Sequence, residues 1–501
     1  MEQQFHKGSL DTTYKMTRNP TAGGVVQSHT GRTVNLMKNR RNKSRHLVLL
    51  VLVTFFMLAP QVQENVFEKW APGLREYVML LPAPYHIYPN EATFTVAKTV
   101  VFTNNQFDGW AFEDVLIPLD IHSLTGESSD YQYTNGEPAR STTALQEVLG
   151  LTLLFQSGSQ SVDDFVAIPT NGSTVSYENR ITTSKGHSVW WPEVDSTDNR
   201  SCPIALCVKM ELALAPNEIA SFSFQATVKS TSFSWWDGTR VDTRIAGISD
   251  GINIDNSGTF DDIAFRGGGQ KLDDFTLPQW YDRGASNGIN HGYAINAQND
   301  LITQTASLIS ASLPEGRSNN AYAYARAVFD YLHEHVTYDK EAPDPARSGP
   351  ACLEAKKGDC DEQTNAFLSL LRVKNIPGWY VFGALTDGLN FEEWEGHGWG
   401  YILLPMSESW CASKSIVLDS CFVEASVDVV NNKWLLHTPN AYISWIEEPD
   451  MTGDSLRAYY SPGQYSNGVG TDRTPPVYST VGDVDTKGGK YQVKILEEWL
   501  R

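Results

Sequence analysis

Cysteine is scarce in this chain: six occur among 501 residues. That is too few for a disulfide scaffold, and no Cys-x-x-Cys pair is present to build a zinc ribbon. Positive charge is also short. Lys and Arg number 39 against 59 Asp and Glu, a net charge of −20, whereas a general nucleic-acid binder presents basic grooves. No His-x-x-x-His pair occurs, which argues against a metal-dependent hydrolase. There is no internal repeat and no heptad pattern, so solenoids and coiled coils drop out. No uninterrupted apolar run reaches the ~17 residues at the lower limit for a membrane span.

What is present describes a folded body. Hydrophobic residues make up 41% and aromatics 11%, richer than a disordered chain. The length suits two or three domains at ~100–200 residues each. Charge is unevenly spread: residues 1–46 carry a net +7 and the remainder −27. Directly after the basic stretch runs Leu47–Ala59, LVLLVLVTFFMLA, 13 residues without a charge, or 16 if Pro60, Gln61 and Val62 are included. A short apolar run behind a basic tail is the pattern of a signal-type segment. The 45-residue leader and the exit Met57-Leu58-Ala59-Pro60 favour an uncleaved signal anchor over a cleaved signal peptide. That orientation puts the N-terminus in the cytoplasm and the acidic body outside, as a single-pass protein of the cell membrane. An outside body permits disulfides and makes Asn171-Gly-Ser and Asn199-Arg-Ser candidate glycosylation sites.

The chain divides by pattern. Residues 1–45 read as a disordered basic tail, 46–62 as the anchor, and a Pro-interrupted juncture follows to about 90. Residues 90–297 read as a β-rich extracytoplasmic domain. Its apolar runs are Ala92–Thr103, Val115–Ile121, Val148–Phe155 and Val208–Thr227, the last broken at Pro216-Asn217. Short strands between Gly, Asn, Asp and Ser clusters predict an antiparallel, sandwich-like arrangement. In 298–447 the period changes. Tyr322, Ala325, Phe329, Leu332 and Val336 fall on one helical face. A second helix is predicted over Asp361–Val373, and strands over Trp379–Leu385, Gly398–Leu404 and Phe422–Val430. Helices followed by strands give an α+β class. Residues 448–501 read as a polar C-terminal extension.

The chemistry concentrates at Gly358-Asp359-Cys360, just before a helical pattern. A cysteine that opens a helix sits at the positive end of the dipole, which favours the thiolate. The backbone N–H at Cys360 can serve an oxyanion, and Gly358 fits a tight turn or a close approach to substrate. A thiolate needs a proton shuttle. His397, in Gly396-His397-Gly398-Trp399-Gly400, fits that role, with glycines leaving the ring accessible. A third group should fix its tautomer. Asp428, at the end of a neighbouring predicted strand, is the preferred carboxylate, and Asp419 competes.

The segment Gln298–Trp445 resembles the transglutaminase-like superfamily, in its bacterial and archaeal branch. The matching pieces are Tyr331–Tyr338 (YLHEHVTY), Gly358-Asp359-Cys360-Asp361-Glu362, Gly396-His397-Gly398-Trp399 and Val427-Asp428-Val429 with Trp434. The resemblance implies a papain-like α+β core and a catalytic triad of Cys360, His397 and Asp428. It implies acyl transfer from a peptide or carboxamide, with a protein or peptide as substrate; no cofactor is expected, with calcium, which some transglutaminases need, as the alternative. Water as acceptor makes a cysteine peptidase or amidase; an amine makes a cross-linking protein-glutamine γ-glutamyltransferase. The family leans the reading toward hydrolysis. A non-catalytic surface interaction module with the same fold is the rival class. One departure stands out: His397 and Asp428 are 31 residues apart, longer than the family pattern suggests.

Other candidates are blander. Cys411 with Cys421, and Cys202 with Cys207, are close enough in sequence to close small loops, and Cys352 reads as a buried apolar residue. Asn253-x-Asp255-x-Ser257-Gly258-x-x-Asp261 has a calcium-loop rhythm, but Ala264 stands where the bidentate Glu belongs. His333 and His335 are two apart on a helix and face different ways. Glu392, Glu393 and Glu395 crowd the approach to His397. Trp235-Trp236 and Trp394 suit a core or a lid.

Overall fold

The computed structural model describes residues 87–492, apart from 108, 123, 126–142, 159–161, 196, 204, 237–250, 266–281, 284–292, 344–345, 387–390, 415–417, 419–420 and 448–462. The basic tail (1–45), the anchor segment (46–62) and Asp419 therefore lie outside the described residues. Among the described residues, no helix is long and apolar enough to cross a membrane. The fold is mixed α and β with antiparallel sheets, in line with the α+β expectation.

Period-two patterning builds the first part. Ile219–Thr231 alternates buried and part-exposed residues along almost its whole length, as a strand with one face on a core must. It pairs antiparallel with Ile87–Asn104 on one side and Ala144–Ser157 on the other. The Pro216-Asn217 break becomes a turn, with Asn217 at φ 58°, a left-handed position that Asn tolerates. Before that turn, Cys207–Leu214 joins a second sheet, ordered Tyr465–Asn467, Gly109–Leu116, Cys207–Leu214, Ser188–Trp190, Ile181–Thr182. Phe94, Phe222 and Phe224 from the first sheet and Val115, Val208 and Met210 from the second form one apolar layer. The two sheets thus face each other across a shared core.

The tail supplies strands that its polarity hid. Thr471–Arg473, Val477–Thr480 and Asp485–Gln492 all pair with Ile87–Asn104. Tyr465–Asn467 pairs with Gly109–Leu116. These are edge strands, held by backbone bonds while many of their side chains stay in solvent, so no apolar run announces them.

A third sheet carries the order Ala441–Ile446, Gly378–Thr386, Trp394–Pro405, Phe422–Val427, Leu124–Thr125. Four helices belong with it: Asp300–Ser312, Ala321–His335, Gly349–Ala355 and Cys360–Arg372. Each begins at a side-chain cap, from Asn299, Asn320, Ser348 and Asp359 respectively. The Cys360–Arg372 helix is enclosed on every side, buried from Glu362 through Arg372. The sequence suggests only an apolar stripe; the polar residues are buried too because each is paired. Arg347 meets Glu362 at 3.0 Å, and Arg372 meets Glu447 at 2.8 Å. Unpaired, such buried charges would cost several kcal/mol each.

Two disulfides close the loops marked by spacing: Cys202–Cys207 and Cys411–Cys421, with Cα separations of 5.7 and 5.9 Å. Cys352 is a buried free thiol. Trp235 and Trp236 lie in the core, and His333 and His335 are exposed on their helix.

Candidate active site

Asp359-Cys360-Asp361-Glu362 forms a capping box at the helix start. The Asp359 carboxylate accepts the Asp361 and Glu362 N–H groups at 3.1 and 3.2 Å, and Glu362 accepts the Asp359 N–H at 3.2 Å. The cap thus occupies donors that a sequence reading leaves open at the helix tip. The Cys360 N–H itself makes no hydrogen bond among the described residues. Gly358 has a role other than nearness to substrate. A Cβ there would meet Cys352 Sγ at 2.7 Å and Glu362 Cβ at 2.9 Å, so glycine is needed for close packing beside the start of the Cys360 helix.

The Cys360 sulfur is part-buried. It faces Asp361 Oδ1 at 3.8 Å and receives the Gly398 backbone N–H. The expected lowering of its pKa by the helix end is not met. Burial, followed by the carboxylates of Asp361 and Asp359, pushes the thiol well above its ordinary value, and the Gly398 N–H offsets only part of this. The half-exposed Tyr338 ring shares this negative setting. Burial, Cys360, Asp359 and Glu395 push its hydroxyl up to about 12.

His397 lies in the Trp394–Pro405 strand, opposite Gly383. Its flanking glycines do not leave it open: it is 7% exposed, with Trp399 stacked on the ring at 5.6 Å between centroids. Residues two apart share a strand face, which puts that indole there. Nε2 contacts Asp428 Oδ2 at 3.0 Å. Asp428 follows Phe422–Val427, the strand beside that of His397, as the sequence anticipates. Asn431 donates from its backbone to Asp428 Oδ1 at 3.1 Å and from Nδ2 to Oδ2 at 2.8 Å, and its Nδ2 also lies 3.2 Å from His397 Nε2. Burial alone would raise the Asp428 pKa, but the charges of His397 and Lys433 and the bonds from His397 and Asn431 bring it down to about 2. Lys433, itself buried, bridges backbone to backbone with Asp428 and donates to Thr438 Oγ1 at 2.8 Å.

The structure therefore joins His397 to Asp428 and sets Cys360 against Gly398, the next residue after His397. Cys360 and His397 share no hydrogen bond, and His397 Nδ1 makes none among the described residues. Nucleophile–base contacts are often long until substrate binds. Reading the sequence missed Asn431, Lys433, Asp361 and Tyr380. Asn431 carried a signal, a polar residue three after a carboxylate; Tyr380 carried none.

The metal-type candidates have protein partners. Asn253 Oδ1 accepts from the Asp255 and Asn256 N–H groups, Asp255 pairs with Arg317, and Asp261 accepts from Asn319. Among the described residues, one metal-capable cluster is present: Asp359, Cys360 and Asp361, with donor atoms within 4.8 Å. Its carboxylates are engaged by the helix cap and by Tyr380.

The family model of the transglutaminase-like superfamily matches residues 310–413. This stretch of the chain is transglutaminase-like. It holds Cys360 and His397 and ends before Asp428. No curated protein matches the sequence. A solved structure from Cytophaga hutchinsonii, described as a "Putative Cysteine Protease", aligns over 81% of this chain and 100% of its own at 11% identity, with a TM-score of 0.36. Another, a "putative protease" from Parabacteroides distasonis, covers 59% of this chain and 64% of its own at 7% identity, with a TM-score of 0.18.

Proposed function

We propose that the protein is a membrane-anchored thiol enzyme that transfers an acyl group from a peptide or carboxamide. One observation carries the reading. Cys360 opens a helix in a transglutaminase-like stretch, its sulfur lies against Gly398, and the adjacent His397 is hydrogen-bonded to Asp428 at 3.0 Å. In this reading the core is papain-like and His397 takes the thiol proton. The Cys360 sulfur attacks the carbonyl, the Cys360 N–H helps hold the oxyanion, and the imidazolium returns the proton to the leaving amine. Asp428, itself held by Asn431, fixes the tautomer that leaves Nδ1 for the thiol. Water as the second acceptor completes hydrolysis, so the activity is that of a cysteine peptidase or amidase.

The test is intact-mass analysis after incubation with a pool of peptides. An acyl adduct on Cys360, absent from Cys360→Ala, supports the reading; no adduct overturns it. Adding a primary amine separates the acceptors: release of free acid marks hydrolysis, and incorporation of the amine marks cross-linking.

The anchor and outside location are part of the same proposal. The basic tail before an apolar run, the two disulfides and the exposed sequons at Asn171 and Asn199 support them. Protease added to intact cells should remove the body. Full protection would overturn that placement.

A further inference from the structure

One part-buried acid at the nucleophile has no place in the mechanism above. Asp361, directly after Cys360, lies under the His397 strand, and its Oδ1 takes two donors. One is the Cys360 thiol at 3.8 Å; the other is the Tyr380 hydroxyl, in a very short contact. Tyr380 belongs to Gly378–Thr386, the strand next to that of His397, and its own N–H is held by the buried Glu447 at 3.0 Å. The acid is therefore oriented from outside its own helix. The strand makes room for the pair: a Cβ at Gly398 would sit 2.0 Å from Tyr380 Oη and 2.5 Å from Asp361 Oδ1. Glycine at 398 thus serves two neighbours at once. It gives its N–H to the sulfur and yields its side-chain space to the acid beside that sulfur.

We propose that Asp361, held by Tyr380, is the resting proton partner of the Cys360 thiol and controls when that sulfur becomes a nucleophile. At rest the proton is on sulfur and its S–H points at the Asp361 carboxylate. Activation moves that proton to His397 Nδ1, leaving a thiolate and an imidazolium. An ionised Asp361 then stands against the new thiolate and favours the return of the proton. A protonated Asp361 removes that repulsion and can donate its own hydrogen bond to the thiolate. The charged and titratable groups facing this pair are Asp359 from the same helix, Tyr338 from the Thr337–Tyr338 strand, Tyr380 and His397 from the sheet, and Asp428 beyond His397. Burial and Asp359 push the Asp361 carboxyl up to about 6. Its protonation therefore falls in a range where activity is measured.

The inference rests on the proposed function in taking Cys360 as the nucleophile and His397 as its base. The test is the rate of iodoacetamide labelling of the full chain from pH 5 to 11, a range extended upward because the Cys360 thiol is raised, with adducts mapped to Cys360. Asp361→Asn removes the negative charge and keeps the shape. It should lower the labelling midpoint and raise the rate at least tenfold below it, since one pH unit in the midpoint is a factor of ten. Asp361→Glu keeps the charge and should stay within about threefold of the parent rate. If the Asn variant does not fold, Asp361→Ser removes the same charge and should show the same fall. A neutral variant whose midpoint is unchanged or higher overturns the proposal, as does a Glu variant that falls with the neutral one. A parent Cys360 that never labels would instead overturn the proposed function.

Discussion

Replacing Asp428 by Ala separates its part in the fold from its part in the chemistry. The carboxylate is 3% exposed and holds three contacts, to His397 Nε2, Asn431 Nδ2 and the Asn431 N–H. Its fall from the ordinary 3.8 to about 2 corresponds to roughly 2–3 kcal/mol favouring the folded, ionised form. The sign follows from that direction. A carboxyl depressed in the folded state stabilises fully above its unfolded pKa, and the contribution is lost as pH falls from about 4 through about 2. Asp428→Ala should therefore lose roughly 2–3 kcal/mol in guanidinium unfolding at neutral pH and should lack this acid-dependent component. It should stay folded, because the His397 strand is held by backbone pairing on both sides. Turnover of a peptide substrate should drop roughly 10³–10⁴-fold. Asp428→Asn keeps an acceptor oxygen for His397 and should recover much of that turnover, as a Cys-His-Asn arrangement does. Turnover within threefold of the parent in the Ala variant, or the full loss in Asp419→Ala instead, would refute the assignment.

Two other perturbations read the surrounding frame. Cys411→Ser opens a bridge of sequence separation 10 and should lower stability by roughly 2–3 kcal/mol, with a smaller effect on turnover because the site residues lie elsewhere; unchanged unfolding would mean the bridge does not constrain the chain. Gly398→Ala puts a methyl 2.0 Å from Tyr380 Oη and should cost about 1–3 kcal/mol together with most Cys360 labelling; a variant with parental stability and labelling would show that the strand does not press on this pair.

Much of the fold was legible because it rests on local period and punctuation. The runs around Phe94, Leu153 and Phe224 alternate against one core and became strands close to their expected bounds. Asn217 supplied the turn where Pro216-Asn217 marked it. The tail was not legible, since strands that bond through their backbones leave no apolar signature. At the site, residue types and order pointed to Cys360, His397 and Asp428, and the structure pairs the latter two. Environment was harder to read. A helix tip suggests a stabilised thiolate, but a helix buried on all sides and flanked by Asp359 and Asp361 reverses that sign. Glycines around His397 suggest access, but Trp399 covers the ring. Both reversals come from packing between distant segments, which sequence spacing does not encode.

The most direct measurement is rapid-mixing hydrolysis of p-nitrophenyl acetate, read as the first turnover. A burst of about one p-nitrophenolate per active chain is expected, with acetyl recovered on Cys360 and no burst from Cys360→Ala. No burst from the parent chain, or an equal burst from the alanine variant, would contradict it.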